Sequence, residues 1–410
     1  MVKYDLVLYG ATGFTGKLAA QYLNTLPDLR GKRWAVAGRT ESKLQALKAS
    51  LLGPDVDSLP DALTVELTDS AATEQLVAST KVVINCAGPF SRCHGEELLG
   101  ACARAGCHYS DLAGESWWQA EMVAKYHDVA EKSGAKVIFG GGVDSIPSDL
   151  GTMLAVGALR GEEDVKVVGC YTEYSGSFSG GTLNSGRAKN KAKREGNPYL
   201  TESREADPYL LCGEAQTVGA DSPVGTADGM PAGFGWGLRW RQPFFMGPIN
   251  ARVVRRSLAL CGLERRISYA ECSSVALWLR ILWVFLKSGL GHFRGEPINL
   301  KPKSGEGPPG WLIKEGAFAV EVTATASNGA EAVALVQGKG DPGYGATAKM
   351  LAETGLCLSL DQHNEWRTKG GVLTPWTGLG ELLVSRLRRA EGGNFMSLDI
   401  KSRTTPPSSQ

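Results

Sequence analysis

The amino-acid sequence predicts an α/β fold, with a parallel sheet in the N-terminal part of the chain and a second, mixed sheet after it. Three observations lead to this prediction. Strand-like apolar runs alternate with helix-like segments over the first 140 residues, and glycines follow the first run at regular intervals. After Pro147, longer strand-like runs replace the alternation. Strand–helix alternation places helices on both faces of a parallel sheet.

The predicted elements follow from these patterns. In the first part, strands are expected at 5–9, 33–37, 63–67, 82–86 and 136–139, and helices at 16–26, 41–51, 70–79, 95–105 and 117–132. A further short strand would fit at 108–114. In the second part, a helix is expected at 148–159 and strands at 165–175, 317–327 and 331–340, with an Asn-Gly-Ala hairpin turn between the last two. Residues 186–250 suggest helices and long loops.

Length and pattern together predict the domains. A chain of 410 residues exceeds one ordinary core, so we expect two domains, at 1–150 and 151–342. Residues 343–392 contain further helix-like segments. The end of the chain, 393–410, is polar and is expected to be disordered.

Composition and charge argue against several classes of protein. Lys plus Arg number 44 against 43 Asp plus Glu, so the chain lacks the overall basic character expected of a nucleic-acid-binding protein. Nine cysteines include no Cys-x-x-Cys pair, and five histidines show no ligand spacing. We therefore expect reduced thiols, a cytoplasmic location and no metal site.

The longest apolar run, VALWLRILWVFL at 275–286, is shorter than the roughly 20 residues of a membrane span. It is apolar nearly all round, which favours a core helix or a contact in a homodimer. Its tryptophans and flanking cations also suit a helix lying on a membrane or lipid-body surface, so peripheral contact stays open as the alternative.

Gly10, Gly13 and Gly16, in YGATGFTG, predict the phosphate-binding turn of a Rossmann domain. Glycines permit the tight turn, let backbone N–H groups approach a pyrophosphate, and let the helix pack closely on the strand. Thr12 and Phe14 lie in the same turn and are further candidate cofactor contacts. A structural bend would use the same glycines, but the position after the first strand favours nucleotide binding.

The second strand predicts NADPH as the cofactor. NAD enzymes carry an acidic residue about 20 residues past the glycines, whereas here the strand ends in Arg39, with Lys43 one turn later. A guanidinium pairs with a 2′-phosphate and stacks on adenine. A solvated arginine at the start of a helix is the alternative interpretation.

Two other strand ends belong to the predicted cofactor site. Asp69 follows the third strand and is expected near the adenine. Ala87, Gly88 and Pro89 follow the fourth strand, at the sheet edge where the nicotinamide half would lie. An ordinary turn would explain Gly88 and Pro89 equally well.

The candidate catalytic residues are Ser145 and Tyr174. Ser145 lies in GGVDSIPSDLG at 141–151, the densest polar cluster at the domain junction, and this turn would border the nicotinamide. The alternative is that Asp144 and its polar neighbours only cap the following helix. Tyr174 and, less directly, Tyr344 are candidate proton donors, although packing alone would also explain such tyrosines.

Seven motifs in order resemble saccharopine dehydrogenase-like oxidoreductases. The similarity is greatest to the trans-acting enoyl reductase branch, which also ends in a pattern like GGVLTPWTGLGELLVSRL at 370–387, and it extends from residue 4 to about residue 390. The seven motifs are YGATGFTG, AGRTESKL, NCAGPFSRCHGEELLGAC, HYSDLAGE, GGVDSIPSDLG, SGSFSGGT and GDPGYGATAKMLAETGLCL.

The resemblance implies an NADP-binding Rossmann domain, a second α/β domain that carries the substrate surface, and C-terminal helices that pack back on the first domain. It also implies NADPH-dependent reduction of a double bond in a lipid or polyketide-type acyl chain, presented by a synthase. Two alternatives stay open. One is an imine or saccharopine-type reductase, and the other is a catalytically quiet lipid-surface protein that retains the nucleotide-binding scaffold.

Overall fold

The structure of the chain is a computed structural model. It describes residues 2–410 except 52–58, 160, 162–163, 178, 214–240, 264–265, 275–276, 278–281, 283–297, 300, 304, 361–369 and 405–410.

Strands and helices alternate through the first part of the chain, as the sequence predicts. The described strands are β1 (Leu6–Tyr9), β2 (Trp34–Gly38), β3 (Asp61–Thr64), β4 (Val82–Asn85), β5 (His108–Asp111), β6 (Lys136–Ile138), β7 (Val165–Tyr174), β8 (Arg241–Pro243), β9 (Ile267–Ser274), β10 (Ala317–Thr325), β11 (Glu331–Lys339), β12 (Gly371–Leu373) and β13 (Met396–Thr404).

The helices cover both sheets and connect them. They are α1 (Phe14–Thr25), α2 (Glu41–Ser50), α3 (Ser70–Ala78), α4 (Gly95–Ala105), α5 (Ser116–Ser133), α6 (Ile146–Ala158), α7 (Gly180–Arg194), α8 (Glu202–Ala206), α9 (Gly247–Leu260), α10 (Gly310–Glu315), α11 (Gly345–Leu360), α12 (Pro375–Leu379) and α13 (Glu381–Gly393).

The first sheet is parallel and has seven strands in the order β12-β6-β5-β4-β1-β2-β3. Six of these strands follow the Rossmann order, so the predicted fold class is confirmed. All four residues of β1 are buried, because helices cover both faces of a parallel sheet. The strand order reverses between β1 and β4, and the crevice at the carboxyl ends of these strands is where such sheets bind ligands.

The seventh strand, β12, was not predicted. Its three residues pair with β6, from Gly371 against Lys136 to Leu373 against Ile138. So short a run shows no alternation that would distinguish a strand from a loop. Its position follows from the packing of the C-terminal segment on the first sheet, where α11 contacts α1, β4 and β5.

The second sheet is mixed, as predicted, with the order β13-β11-β10-β7-β9-β8. The hairpin of β10 and β11 is antiparallel and closes with Thr325 opposite Glu331. β7 pairs antiparallel with β10 and parallel with β9. α6 covers β10 and β11, so the helix that leaves the first sheet forms part of the core of the second.

The prediction of disorder over 393–410 is wrong for the residues that form β13. This strand pairs antiparallel with β11, from Met396 opposite Gly338 to Thr404 opposite Glu331. Met396 and Leu398 are buried and the residues after Leu398 are exposed. An edge strand needs few apolar residues, because backbone hydrogen bonds to its neighbour hold the polar part in place. Residues 405–410 lie outside the described part.

The apolar run at 275–286 lies mostly outside the described residues. Leu277 and Leu282 are described, and Leu277 is buried whereas Leu282 is 55% exposed. The core, homodimer and membrane-surface interpretations of this run therefore stay predictions. Within the described part of the chain, no helix combines the length and the apolar character needed to cross a membrane.

Candidate active site

Two glycines of the turn after β1 are required by the packing of the protein itself. Gly10 has φ of +75°, and a Cβ on it would lie 2.6 Å from the backbone nitrogen of Ala87. A Cβ on Gly16 would lie 2.3 Å from the Gly10 carbonyl oxygen. These contacts let α1 start close to β1 and let the β4 end lie against the turn. Thr12 is half-buried in the same turn.

Gly13 differs from its two neighbours, because the protein leaves space beside it. A Cβ there would meet only the Gly10 carbonyl oxygen, at 3.3 Å, and its φ of −71° suits any residue. Gly13 is the N-cap of α1 and supplies no side-chain cap. The first N–H groups of a helix favour phosphate when no side chain caps them. The turn therefore fits a pyrophosphate.

Arg39 lies directly after β2 with its side chain exposed, and Lys43 is exposed one turn into α2. The Arg39 charge acts on Tyr9 at the end of β1 and on Cys93 after β4. Burial raises the pKa of both of these groups, to about 12 for Tyr9, and the guanidinium opposes the shift. The cation thus lies near the carboxyl edge of the central strands, as recognition of a 2′-phosphate requires.

Asp69 has a structural role. Its carboxylate is the N-cap of α3 and accepts a hydrogen bond from the Ala72 backbone nitrogen at 3.0 Å. The side chain is exposed at the end of the segment after β3, and its contact with adenine stays a prediction.

The segment after β4 is fixed by a buried polar network that sequence reasoning missed. Ala87 donates its backbone N–H to Asn85 Oδ1 at 2.9 Å, and Asn85 Nδ2 donates to the Tyr109 hydroxyl at 3.0 Å. Tyr109 in turn donates to Asp111 at 2.9 Å. Burial raises the pKa of Asp111 to about 7. This network sets the path of the chain into Gly88 and Pro89, which are joined by a cis peptide bond.

A cavity of about 820 Å³ joins this edge of the first sheet to the second sheet. Gly13, Phe14 and Gly88 line it on one side, and Asp144 and Tyr174 line it at the junction. The exposed lining is more apolar than polar. It includes Phe90, Leu112, Trp117, Leu200, Leu210 and Ile249, together with the charged residues Glu115, Lys189, Glu205 and Arg252. Such a cavity suits an apolar ligand held beside a nucleotide.

Ser145 does not lie where its predicted catalytic role requires. It is fully buried, and its hydroxyl donates to the carbonyl oxygen of Asp144. A Cβ on Gly140 would lie 2.9 Å from the Ser145 hydroxyl, so this side chain faces the end of β6. Its neighbour Asp144 lines the cavity instead. The sequence motif indicated the turn, but it did not indicate which of its side chains faces the cavity.

Asp144 carries a carboxyl in an apolar setting. Burial raises its pKa to about 6, and no hydrogen bond to its carboxyl is found among the described residues. The same charge acts on Tyr171 and Tyr174, which lie near it. A carboxyl with a raised pKa that faces a cavity is suited to proton transfer near neutral pH.

Tyr174, the second predicted catalytic residue, lines the cavity at the end of β7. Its ring lies 5.5 Å from the Phe244 ring and 5.4 Å from the Phe245 ring, edge to face in both contacts. Burial raises the pKa of its hydroxyl well above the ordinary value, so the phenol stays protonated. The structure brings Tyr174 and Asp144 together at the cavity.

Phe14 connects the phosphate turn to the second part of the chain. Its ring lies 5.3 Å from the ring of Tyr344. The Tyr344 hydroxyl accepts from the Ser179 backbone nitrogen at 2.5 Å and lies 2.6 Å from Thr182 Oγ1. With these partners, Tyr344 holds the start of α7 against the turn and is less suited than Tyr174 to proton transfer.

One cluster of metal-ligating residue types is found among the described residues, formed by His127, Asp128 and Glu131 on α5. His127 Nδ1 already accepts the backbone N–H of Val372 at 3.1 Å. Burial and the nearby Arg256 charge lower the pKa of His127. The cluster does not line the cavity.

Comparisons with known proteins give a family model and relatives of similar length. The model described as saccharopine dehydrogenase NADP binding domain matches residues 6–138. A trans-acting enoyl reductase of Mycobacterium tuberculosis is 33% identical over 413 residues, which cover 94% of this chain and 96% of the relative. One of Mycobacterium leprae is 32% identical over 416 residues, which cover 95% and 96%. The histidine-tagged apo saccharopine dehydrogenase (L-Glu forming) of Saccharomyces cerevisiae matches with a TM-score of 0.47 at 13% identity, over 97% of this chain and 99% of that one.

Proposed function

We propose that this chain, which belongs to the saccharopine dehydrogenase-like oxidoreductases, reduces the double bond of an α,β-unsaturated acyl chain of lipid or polyketide type. The chain is an NADP-dependent oxidoreductase with NADPH as its cofactor. Because the relatives are named trans-acting enoyl reductases, the proposal includes a separate enzyme that makes the acyl chain. The observation that supports it most is the apolar cavity, which joins the nucleotide turn to Asp144 and Tyr174.

The cofactor-binding part of the proposal uses the edge of the first sheet. The turn at Gly13 and the N-terminus of α1 would hold the pyrophosphate, and Arg39 with Lys43 would hold the 2′-phosphate. Ala87, Gly88 and Pro89 would lie along the nicotinamide half. When bound, NADPH supplies a hydride, and the apolar wall of the cavity excludes water from the reacting carbons.

The protein's further task is to supply a proton. Hydride addition to the β-carbon of an enoyl group moves negative charge onto the carbonyl oxygen, and the α-carbon then takes a proton. Asp144 in its neutral form would donate that proton. Tyr174, which stays protonated, would donate a hydrogen bond to the carbonyl oxygen as charge develops there. The products are the saturated acyl chain and oxidised cofactor.

The test is NADPH oxidation with a medium-length 2-enoyl thioester and, separately, with an amino-acid-derived imine. We expect turnover with the thioester only. Turnover with the imine alone would favour the saccharopine-type alternative, and loss of NADPH binding as well as turnover would favour the quiet scaffold.

Asp144→Asn tests the proton donor. The variant should lose about 10²-fold or more in kcat, because general acid catalysis contributes on this scale, while its NADPH affinity stays unchanged. Ser145→Ala is the matched control on the adjacent residue and should lose far less. In the wild type, kcat/KM should fall as pH rises through about 6, where Asp144 ionises, and the asparagine variant should lack this limb. Equal losses in the two variants would contradict the role of Asp144.

A further inference from the structure

The carboxyl of Glu271, on β9, lies at a junction of several elements behind the cavity. Glu271 Oε1 accepts from the Ser148 hydroxyl at 2.6 Å and from Asn250 Nδ2 at 3.2 Å. Ser148 belongs to the first turn of α6 and Asn250 to α9, and both are at most 1% exposed. One carboxyl oxygen therefore holds two helices to the second sheet.

The same junction reaches both sides of the proposed reaction site. The Ser148 hydroxyl also lies 3.0 Å from the Tyr171 hydroxyl on β7. The Tyr171 ring stacks on Phe244 at 4.0 Å, and this pair supports the ring of Tyr174. In the other direction, Ser148 follows Asp144 by four residues in the turn that begins α6. A change at Glu271 would therefore alter the positions of the Asp144 and Tyr174 side chains.

Glu271 has the surroundings of a neutral acid. Its Oε2 atom is buried without a hydrogen-bond partner, and the described residues form no salt bridge with it. The groups near it are the hydroxyls of Tyr171 and Tyr269 and the Arg255 guanidinium, which donates to the Tyr269 carbonyl oxygen at 3.1 Å. The Glu271 charge also acts on the thiol of Cys272, the next residue along β9, which points to the other face of the sheet. Burial raises the pKa of Glu271 to about 8, although hydrogen bonding by Ser148, Asn250 and Tyr269 and then the Arg255 charge oppose the shift. Both observed hydrogen bonds can still form to the protonated acid when Oε1 is its carbonyl oxygen.

We propose that Glu271 is a positioning residue of the reductase site, which in its neutral form holds Asp144 and Tyr174 in place across the cavity. Glu271 acts through Ser148 on α6, whose hydroxyl it holds close to Tyr171 on β7. The inference rests on the proposed function for its effect on turnover, but the arrangement of the side chains is testable without turnover.

The experiment compares Glu271→Gln with Glu271→Ala. Glutamine keeps an oxygen that accepts both hydrogen bonds and places an amide where the acid has its hydroxyl, so it imitates the neutral acid. We expect the glutamine variant to retain kcat within about twofold. The alanine variant should lose kcat about tenfold or more while its NADPH dissociation constant stays unchanged, because the nucleotide turn lies on the other sheet. Above pH 8 the ratio of glutamine-variant to wild-type activity should rise, because only the wild type ionises there.

Two readouts are independent of turnover. Crystal structures should show Ser148, Tyr171 and Tyr174 unmoved in Glu271→Gln and displaced in Glu271→Ala. If the alanine variant does not fold, Ser148→Ala replaces it. This variant removes the hydrogen bonds of Ser148 to Glu271 and Tyr171, and the positions of Tyr171 and Tyr174 are then compared. Between about pH 4.5 and 8, Glu271 is protonated in the folded wild type and ionised in the unfolded wild type, so the stability of the wild type falls as pH rises. The glutamine variant lacks this group, so its melting temperature should rise relative to that of the wild type over the same range.

The outcomes separate the two proposals. If the wild type turns over no enoyl substrate, the proposed function fails, and the crystal structures and melting curves still decide the arrangement. Unmoved side chains in the alanine variant would overturn the positioning role. Equal activity losses in both variants, or a constant melting difference across pH, would show that Glu271 is ionised and overturn its neutral form.

Discussion

At the scale of one residue, we expect Arg39 to decide which nucleotide this turn accepts. Arg39→Ala should lower NADPH affinity at least tenfold and leave NADH affinity unchanged, because only NADPH carries the phosphate that the guanidinium would pair with. Calorimetric titration of both cofactors measures this. Lys43→Ala is the control for a general charge effect and should change the preference less. A wild type that binds both cofactors equally would refute the assignment.

Gly13 gives a second prediction, because the protein leaves room beside it. Gly13→Val should abolish NADPH binding while the melting temperature changes little, since the valine would fill the space left for a pyrophosphate. Gly16→Val is the matched control and should destabilise the fold, because its side chain would overlap the Gly10 carbonyl oxygen. Unchanged NADPH affinity in Gly13→Val would mean that the turn is only a bend.

The sequence could indicate positions for the proposed cofactor-binding residues where these positions follow from local spacing. The glycine turn and Arg39 are of this kind, since a strand end and a helix start fix where they lie. Asp144 and Glu271, for which we propose roles, were not among the predicted site residues. The direction of the Asp144 side chain depends on the rotation of a turn, and the role of Glu271 depends on partners from α6 and α9 that are far away in the chain.

At the scale of elements, a buried ion pair joins α13 to α11, and a hydrogen bond joins α11 to α1. Arg386 lies 2.8 Å from Asp28 and 3.4 Å from Glu353, which also accepts a hydrogen bond from the Tyr22 hydroxyl. The Arg386 and Glu353 side chains are 7% and 4% exposed.

Arg386→Met should lower the free energy of unfolding by about 3 kcal/mol, because the buried charge of Glu353 would lose the guanidinium that opposes it. Chemical denaturation measures the loss. Adding Glu353→Gln to this variant should restore part of the stability, since it removes the buried charge. A single variant as stable as the wild type would show that water reaches Glu353.

Helices and strands were predictable where the apolar pattern repeats over enough residues to show its period. The alternation gave the central strands and helices of the first sheet and the hairpin of the second. β12 and β13 were missed for different reasons. β12 is too short to show a period, and β13 is polar along its exposed part, so pairing with β11 decides its structure.

At the scale of the whole molecule, several buried acids bind protons more tightly in the folded state. Burial raises the pKa of Asp111, Asp149 and Asp341 to about 7 and that of Glu271 to about 8. The folded chain therefore holds more protons than the unfolded chain between about pH 4 and 8, and stability falls as pH rises through this window. The pKa of His127 is lowered, so this one group makes stability rise with pH and opposes the trend of the four acids.

The melting temperature should accordingly decrease from pH 5 to pH 8.5. Differential scanning calorimetry at constant ionic strength measures the trend. A melting temperature that rises over this range would show that these carboxyls are ionised in the folded protein.

The position of β12 has a consequence for synthesis. α11 packs on the surface of the N-terminal sheet and β12 pairs at its edge. Both elements come from residues 345–373, near the end of the chain. While a ribosome is still making the middle of the protein, the emerged first domain presents the apolar face that α11 will cover. Folding of this domain from the N-terminus onward thus stops short of completion, and its last step waits for the release of the finished chain.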